Sequence, residues 1–322
     1  MSALLPDAST MAPRVDVLFW YMIGLCGFVA VGIFATMIYF GLKYRAGSKA
    51  DRTGKHKQSM GVEATWTLVP FGMFLAVFIW SLFVFARLQS PPANAQTVYV
   101  VAKQWMWKIQ HAGGQREIDA LHVPLGQPIR LVMISQDVIH SFSVPAFRIK
   151  QDVLPSRYTN TWFTPTETGT FTLYCNQYCG LDHSKMIGDV VVMQPAAYAR
   201  WLAKNPAPES VAARGAALFR SAGCSGCHGA NASVHAPDLD GLYGRTVHLS
   251  GGGTVIADDR YIHDSILLPD QQVVAGFAPI MPSFEGQLSE QDILALVAYI
   301  KSTSATAHQP PSVGSESTHE RH

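Results

Sequence analysis

The stretch Cys175-Asn-Gln-Tyr-Cys179-Gly-Leu-Asp-His183-Ser-Lys-Met186 brings two thiols, an imidazole and a thioether together within twelve residues. Soft sulfur ligands of this kind select copper over hard cations such as magnesium and calcium. A second histidine stands upstream in Asp137-Val-Ile-His140-Ser-Phe-Ser-Val-Pro145, at the start of a predicted strand. Copper sites of cysteine and histidine with a weak axial thioether have no open position for a substrate, so this pattern indicates electron transfer.

The sequence around this stretch, residues 97–194, predicts a small antiparallel β-sandwich or Greek-key barrel. Short runs rich in β-branched residues, such as 97–101 and 169–173, alternate with turn-forming stretches such as 165–169. Several short strands separated by turn signals are typical of these all-β folds.

Two long apolar segments precede this domain. Residues 17–42 and 64–86 contain no charged side chain, and each is long enough to cross a hydrocarbon core of about 30 Å at about 1.5 Å per residue. Two such segments so close together favour a transmembrane hairpin of residues 17–42 and 64–87 over buried core helices or a cleaved signal peptide. Bilayer lipid is therefore a predicted partner.

The segment between the spans, residues 43–63, indicates the orientation of the hairpin. It carries six cations, which are Lys43, Arg45, Lys49, Arg52, Lys55 and Lys57. The positive-inside rule places this loop in the cytoplasm. In the inner membrane of a bacterium, residues 1–16 and everything after the second span would then face the periplasm. The net charge of +1 and a charged fraction of 15% argue against a nucleic-acid partner.

The remaining chain divides at changes in composition. Residues 88–96 and 195–209 are predicted linkers, the second containing a helical stretch at 196–203 and then Pro206-Ala-Pro208. Residues 210–303 are predicted to form an all-α domain, whose last helix starts at the N-cap Ser289 with Asp292 three residues on. Residues 304–322 have the composition of a disordered tail.

A second cysteine motif lies in this helical domain. Cys224-Ser-Gly-Cys227-His228 has the C-x-x-C-H spacing of c-type heme attachment. Its two thiols can add to heme vinyl groups, and the adjacent imidazole is placed to ligate the iron. A zinc site would need a second pair of ligands at suitable spacing, and the nearby His235 and His248 lie in loop-like sequence.

The five cysteines leave a simpler interpretation open. In an oxidising compartment, each of the two close pairs could form a disulfide. A bridge between Cys175 and Cys179 would leave the two histidines and Met186 without a role. Cys26 lies within the first apolar segment and is interpreted as a packing residue.

Residues 17–194 resemble subunit II of the heme-copper cytochrome c oxidases. The resemblance rests on two spans followed by a β domain, and on C-x-x-x-C-G-x-x-H-x-x-M with an upstream D-V-x-H-S-F-x-V-P. It implies a cupredoxin-like Greek-key domain with a binuclear copper centre, CuA, containing two copper ions. The ligands implied are His140, Cys175, Cys179, His183, Met186 and the backbone carbonyl of Gln177.

The resemblance implies three further roles. Many relatives have glutamate where this chain has Gln177, and that side chain helps to hold magnesium, so a neutral amide leaves magnesium binding open. Trp105, in Gln104-Trp-Met-Trp107, would be the point of electron entry, although both tryptophans could simply pack a sandwich. Glu63 would lie near a proton-channel entrance in subunit I, although an acid at a helix N-terminus also has a plain electrostatic reason.

Residues 210–303 resemble a class I cytochrome c. The resemblance makes Cys224 and Cys227 the covalent attachment points of one heme c, with His228 and Met281 as axial ligands. Met281 stands in Pro279-Ile-Met281-Pro282. Ligation by histidine and methionine raises the heme potential.

Together the motifs predict the electron-entry subunit of a terminal cytochrome c oxidase. The spans contain no histidine, so oxygen reduction and proton translocation would belong to a partner subunit I, with subunit III and a cytochrome c donor as further partners. Three alternatives remain open, which are a membrane-anchored copper chaperone, a quinol oxidase subunit II and a subunit of another copper or heme terminal reductase. Quinol oxidase subunits lack the copper ligands that this chain has.

Overall fold

The computed structural model describes residues 6–52, 59–229, 232, 234 and 236–307. Helix α1 spans Ala12–Lys43 and helix α2 spans Met60–Gln89. Within the described residues these two helices are long and apolar enough to cross a membrane. Their length and composition are those of membrane anchors, and the remaining domains follow them in the chain.

The ends of both long helices follow from local chemistry. α1 begins with a proline in its first turn, where the missing N–H costs nothing. α2 begins after Ser59, whose hydroxyl accepts a hydrogen bond from the backbone N–H of Val62. Lys55 and Lys57 of the cationic loop, like most of the predicted tail 304–322, lie outside the described residues.

Two five-stranded sheets pack face to face to form the β domain. One sheet has the order β3-β2-β1-β5-β8, and the other has the order β4-β10-β9-β6-β7. The strands are β1 Gln96–Lys103, β2 Met106–His111, β3 Arg116–Ile118, β4 Ala120–Pro124, β5 Ile129–Ser135, β6 His140–Val144, β7 Ile149–Val153, β8 Thr159–Phe163, β9 Gly169–Cys175 and β10 Ile187–Met193.

The pairing within the sheets differs in part from the purely antiparallel arrangement that the sequence predicts. β1 pairs with β5, and β4 with β10, in parallel. Neither pair is consecutive in the chain, so each requires a crossover rather than a hairpin. Between the sheets, Trp107, Phe142, Phe147 and Phe163 are fully buried. This sandwich is the scaffold of the copper-type ligands.

The second domain consists mainly of helices. They are α3 Pro195–Lys204, which precedes it, α4 Val211–Ser221, α5 Ser225–His228, α6 Asp259–Leu267 and α7 Glu290–Ala307. The all-α expectation misses a small hairpin of β11 Thr246–His248 and β12 Thr254–Ile256. These two strands are only three residues long, too short for a periodic pattern.

Helices α4 and α7 cross closely because α4 carries Gly215. A Cβ atom at this position would lie 1.9 Å from the carbonyl oxygen of Ala295. The N-terminus of α7 has the predicted cap, in which the hydroxyl of Ser289 donates to the Asp292 carboxylate at 2.7 Å. Reciprocal bonds join each side chain to the backbone N–H of the other residue at 3.3 Å.

The residues before α1 lie against the β domain. The N–H of Ala8 donates to Ala146 at 3.0 Å, and that of Thr10 donates to Thr164 at 3.1 Å. Arg148 forms a two-pronged ion pair with Asp16 at 2.7 and 2.8 Å. The start of the first helix and the β domain therefore lie at the same end of the helical hairpin.

Candidate copper and heme sites

The sandwich brings together the thiols of the first motif and the upstream histidine. His140 begins β6 and Cys175 ends β9. The two residues lie close together because these strands pair side by side. Nδ1 of His140 lies 3.9 Å from Sγ of Cys175, which lies 3.7 Å from Sγ of Cys179. A disulfide would need about 2.05 Å between the sulfurs, and both thiols are free in the structure.

The loop after Cys175 supplies the other predicted ligands. Nδ1 of His183 lies 3.5 Å from Sγ of Cys179, and Sδ of Met186 lies 3.9 Å from the same sulfur. The carbonyl oxygen of Gln177 lies 3.3 Å from Sγ of Cys175. Each thiol therefore has one imidazole nitrogen and one further weak donor beside it.

This arrangement fits copper on the chemistry of the donors. His140, Cys175 and Cys179 form a buried group of potential metal ligands, and Met186 is only 1% exposed. Thiolate bonds to a metal of about 2.3 Å allow two sulfurs 3.7 Å apart to share an ion. Two sulfurs, each flanked by imidazole, form the soft donor set that copper prefers.

The two thiols have pKa values shifted in opposite directions. Burial opposes ionisation of Cys175, but hydrogen bonds from His140 and the backbone outweigh it and lower the pKa of this thiol to about 6. Burial and the adjacent Cys175 raise the pKa of Cys179 to about 12. The pair thus favours a single thiolate before metal binds, and a metal ion has to displace the second proton.

Asp137 orients the buried imidazole of His140. Its carboxylate oxygen lies 2.8 Å from Nε2 of His140, which leaves Nδ1 directed towards the sulfurs. Burial opposes protonation of His140, but contacts with Cys175 and Asp137 raise its pKa. Asp137 stands in the quoted sequence string, but its role is not apparent from the sequence motif. A carboxylate three residues before a ligating histidine is the signal that could have identified it.

The two tryptophans of the aromatic stretch have different positions. Nε1 of Trp105 donates to the carbonyl oxygen of Cys179 at 3.2 Å, and the side-chain amide of Gln104 donates to the same oxygen at 2.8 Å. Trp107 is fully buried, with its ring centroid 6.1 Å from that of His140. Trp105 therefore contacts the ligand loop from a partly exposed position, whereas Trp107 packs the sandwich.

The second motif lines a cavity of about 600 Å³. Cys224, Cys227, His228 and Met281 all contribute to its wall. Nδ1 of His228 lies 2.8 Å from the carbonyl oxygen of Pro237, which makes this nitrogen the donor. The other ring nitrogen is then free to bind a metal.

The cavity fits a large, flat, mainly apolar group. Its size lies within the range of about 300–1,000 Å³ that is usual for ligand pockets, and its wall includes Phe219, Leu242, Ile262, Leu296 and Ile300. Both cysteines are free thiols. Covalent heme with His228 and Met281 as ligands is compatible with these residues.

One predicted position, Glu63, lies apart from these groups. Glu63 is exposed in the first turn of α2 and belongs to neither group. His235 lies outside the described residues. His248 lines the cavity through β11.

Two family comparisons match separate parts of the chain. Residues 99–194 match the family described as "Cytochrome C oxidase subunit II, periplasmic domain", and residues 212–304 match the family described as "Cytochrome c". The first boundary lies in β1 and the last in α7. The two matches therefore coincide with the β-sandwich and the helical domain.

Several curated proteins and solved structures are similar. The "Alternative cytochrome c oxidase subunit 2" of Bradyrhizobium diazoefficiens is 26% identical over 63% of this chain and 83% of the relative. The "Cytochrome c oxidase subunit 2" of Alkalihalophilus pseudofirmus is 26% identical over 85% of this chain and 82% of the relative. The crystal structure of the periplasmic domain of subunit II of cytochrome oxidase of Bradyrhizobium japonicum is 28% identical, with a TM-score of 0.35, covering 36% of this chain and 96% of that one.

These similarities agree with the order of elements, in which an apolar helical hairpin precedes a sandwich with a buried Cys–His group and a helical domain with C-x-x-C-H. The β domain at residues 99–194 belongs to the family of cytochrome c oxidase subunit II periplasmic domains, and in this chain it is followed by a cytochrome c domain.

Proposed function

We propose that this chain is the electron-entry subunit of a terminal cytochrome c oxidase. It would accept electrons from cytochrome c, carry them through its own heme c and CuA, and deliver them to the heme and copper centre of subunit I. Reduction of oxygen to water, coupled to proton translocation, would take place there. The observation that carries this proposal is the pair of thiols 3.7 Å apart, each flanked by an imidazole, in the same chain as a C-x-x-C-H cavity.

The assignment of ligands follows from the donors present. His140, Cys175, Cys179, His183, Met186 and the carbonyl of Gln177 would hold two copper ions. Cys224 and Cys227 would hold one heme c, with His228 and Met281 as axial ligands. These groups would supply one-electron oxidation and reduction without a bound substrate.

The protein's own residues would keep these ligands ready for electron transfer. Asp137 fixes the ring of His140, and Pro237 fixes the ring of His228. Rigid ligands keep the change in geometry on oxidation and reduction small. Trp105, bonded to the ligand loop, is the proposed point of electron entry to the copper site from a donor outside.

Two assignments concern the boundary with the partner. Gln177 supports a carbonyl contact to copper that is indifferent to its side chain, while its amide is a weaker magnesium ligand than a carboxylate. Glu63 remains a proposed neighbour of a proton-channel entrance in subunit I, and subunit III is a further proposed partner. Both external domains are proposed to face the periplasm from the bacterial inner membrane.

Metal and heme analysis of the purified complex tests the proposal. Two copper ions and one covalent heme are expected for this chain, with the electron paramagnetic resonance signal of a mixed-valence copper pair. One exchangeable copper ion and no such signal would instead indicate a copper chaperone. Oxygen uptake with reduced cytochrome c separates an oxidase from another terminal reductase.

Replacement of the proposed axial methionine tests the order of the relay. Met281→Leu should leave the heme covalently attached, lower its potential and slow turnover with cytochrome c. Turnover supported by an artificial donor that reduces copper directly should be unaffected. Unchanged turnover of the variant with cytochrome c would contradict a relay through this heme.

A further inference from the structure

The cytochrome c domain covers the outer face of the sheet that contains β1 and β5. β1 is buried at five consecutive positions, 98–102, rather than at alternate ones. Val98 and Val100 face the interior of the sandwich, whereas Tyr99 and Val101 belong to the apolar cluster of the helical domain. A strand buried on both faces implies that another layer covers the sheet.

This second layer is extensive. Val132 and Ile134 of β5 and Tyr158, which precedes β8, join the same cluster. From the helical domain it includes Ile262 and Ile266 of α6 and Ile293, Leu294 and Val297 of α7. Without this domain the sheet would expose a contiguous apolar patch, which soluble proteins generally avoid.

The linker between α3 and α4, residues 205–210, is also held against the sandwich. The N–H of Val211 donates to the carbonyl oxygen of Ala112 at 3.3 Å. The backbone at Glu209 passes so close to the β2–β3 turn that a Cβ atom on Gly114 would lie 2.0 Å from its carbonyl oxygen. Close packing at this point restricts the swinging that a free linker would allow.

An ion pair across the interface fixes the orientation of the two domains. Nη2 of Arg130, on β5, lies 3.0 Å from the carboxylate of Asp259, at the start of α6. Tyr243 donates to this carboxylate at 2.9 Å, and Nζ of Lys301 on α7 lies 3.6 Å from it. Arg130 also donates to Asn160 at 3.1 Å. Asp259 is 7% exposed, so these partners take the place of the water that its carboxylate would otherwise bind.

We propose that Arg130 and Asp259 are positioning residues that lock the cytochrome c domain onto the outer face of the sandwich, so that heme c serves CuA as a fixed relay rather than a tethered shuttle. This inference rests on the proposed function. A fixed relay transfers electrons in a geometry set by the protein. A shuttle must diffuse between two docking places, and its rate falls as the solvent becomes more viscous.

The proposal is tested by measuring electron transfer from heme c to copper in the intact oxidase after rapid photoreduction by a soluble sensitiser. In the wild type the rate should be independent of glycerol concentration. Arg130→Gln removes the cross-domain partner of Asp259, which keeps only Lys301 of its own domain as a cationic partner, and Asp259→Asn leaves the guanidinium of Arg130 without a carboxylate. Each variant should weaken docking about thirty-fold or more. Their transfer should become slower, multiphasic and dependent on viscosity, with heme and copper potentials unchanged.

Lys150→Gln is the matched control, because Lys150 pairs with Asp152 on the exposed surface of the same domain. It should behave as the wild type. Viscosity-dependent transfer in the wild type would overturn the proposal whether or not the variants fold, and so would Arg130→Gln with wild-type kinetics. Limited proteolysis at residues 205–210 gives a reading independent of redox chemistry, with resistance expected in the wild type and cleavage in Arg130→Gln.

These readings separate the two proposals. If heme c never reduces copper in the wild type while the linker resists proteolysis, the proposed relay is wrong and the locked interface stands. If electrons pass but the wild-type linker is cleaved readily and transfer depends on viscosity, the relay stands and the lock is wrong.

Discussion

The copper-type site and the heme-type site differ in how much of their geometry the protein completes by itself. In the sandwich, the sulfur and nitrogen donors lie within 3.9 Å of their neighbours, on the paired strands β6 and β9 and on the loop that follows β9. In the helical domain, the corresponding residues line a cavity of about 600 Å³. At the first site the donor atoms already lie close together, whereas at the second the residues of the motif line a large cavity.

This difference teaches that the two cofactors have different structural roles. The core of the sandwich is formed mainly by apolar side chains such as Trp107, Phe142 and Phe163, which belong to one buried cluster. In the helical domain, Phe219, Ile262 and Leu296 face both the core cluster and the cavity. Loss of metal should therefore cost function, and loss of heme should also cost the fold of its domain.

Removing both heme thiols should have the largest effect. In the double variant Cys224→Ser/Cys227→Ser, the apolar wall of the cavity would lose the group proposed to pack against it, which should cost about 5 kcal/mol or more, as the loss of a large buried side chain does. We expect the helical domain to be degraded by protease while the sandwich keeps its copper signal. Cys26→Ser is the control, and a protease-resistant helical domain without heme would contradict the comparison.

Removing one of the two thiols proposed to hold copper should abolish copper binding without unfolding the protein. Cys175→Ser takes away one of only two proposed thiolate donors, so copper and its absorption should be lost, with oxidase turnover reduced to background. The covalent heme and the melting temperature of the metal-free sandwich should stay close to those of the metal-free wild type. A sandwich that no longer folds would show that the site is not preformed.

The orientation of His140 should matter less than its presence. Asp137→Asn keeps the size of the side chain but replaces the charged acceptor at Nε2 by an amide. Copper affinity should fall by about 10- to 100-fold, which is typical for partners that orient metal ligands. Competition with a copper chelator measures this change. Asp152→Asn, on the neighbouring β7, is the control and should retain wild-type affinity.

The smallest effect concerns His263 in the helical domain, whose two ring nitrogens lie 3.0 Å from Asp264 and 3.4 Å from Glu290. Burial disfavours its charged form, but the contacts with Glu290 and Asp264 outweigh this and raise its pKa above 6.5. Because the folded-state pKa is the higher one, its stabilisation is fully present below pH 6.5 and is lost as pH rises through the folded-state value.

Denaturant unfolding of the helical domain, followed by heme absorption between pH 6 and 9, measures this dependence. His263→Gln should be less stable than the wild type at pH 6, and the two proteins should converge at pH 9. Stability of the wild type that rises across this range relative to the variant would contradict the assignment.

The sequence predicts the sites best where their spacing is local. Most of the proposed copper donors lie within the twelve residues from Cys175 to Met186. Three of the proposed heme-binding residues lie within the five residues from Cys224 to His228. The strands β11 and β12 are not predicted because three residues are too few to show a period. The parallel pairing of β1 with β5 and of β4 with β10 is not predicted because pairing between distant segments leaves no local pattern. The role of Asp137 depends on a side-chain contact that only the turn before β6 creates.

The interface between the two domains can be predicted from the sequence only in part. The unbroken apolar run Val98-Tyr-Val-Val-Ala102 already indicates a strand covered on both faces. It does not indicate what covers the outer face. The pairing of Arg130 with Asp259, 129 positions apart, emerges only in three dimensions.

The contacts between the residues before α1 and the β domain also constrain biogenesis. Ala8 is fully buried in the core of the sandwich, and Ser9 forms an isolated antiparallel β-bridge with Pro165. In the proposed topology the chain crosses the bilayer twice between these partners, so they would meet only after both had been exported. We then expect the sandwich to be completed after insertion of the hairpin, and copper to reach a fully folded site only after membrane integration.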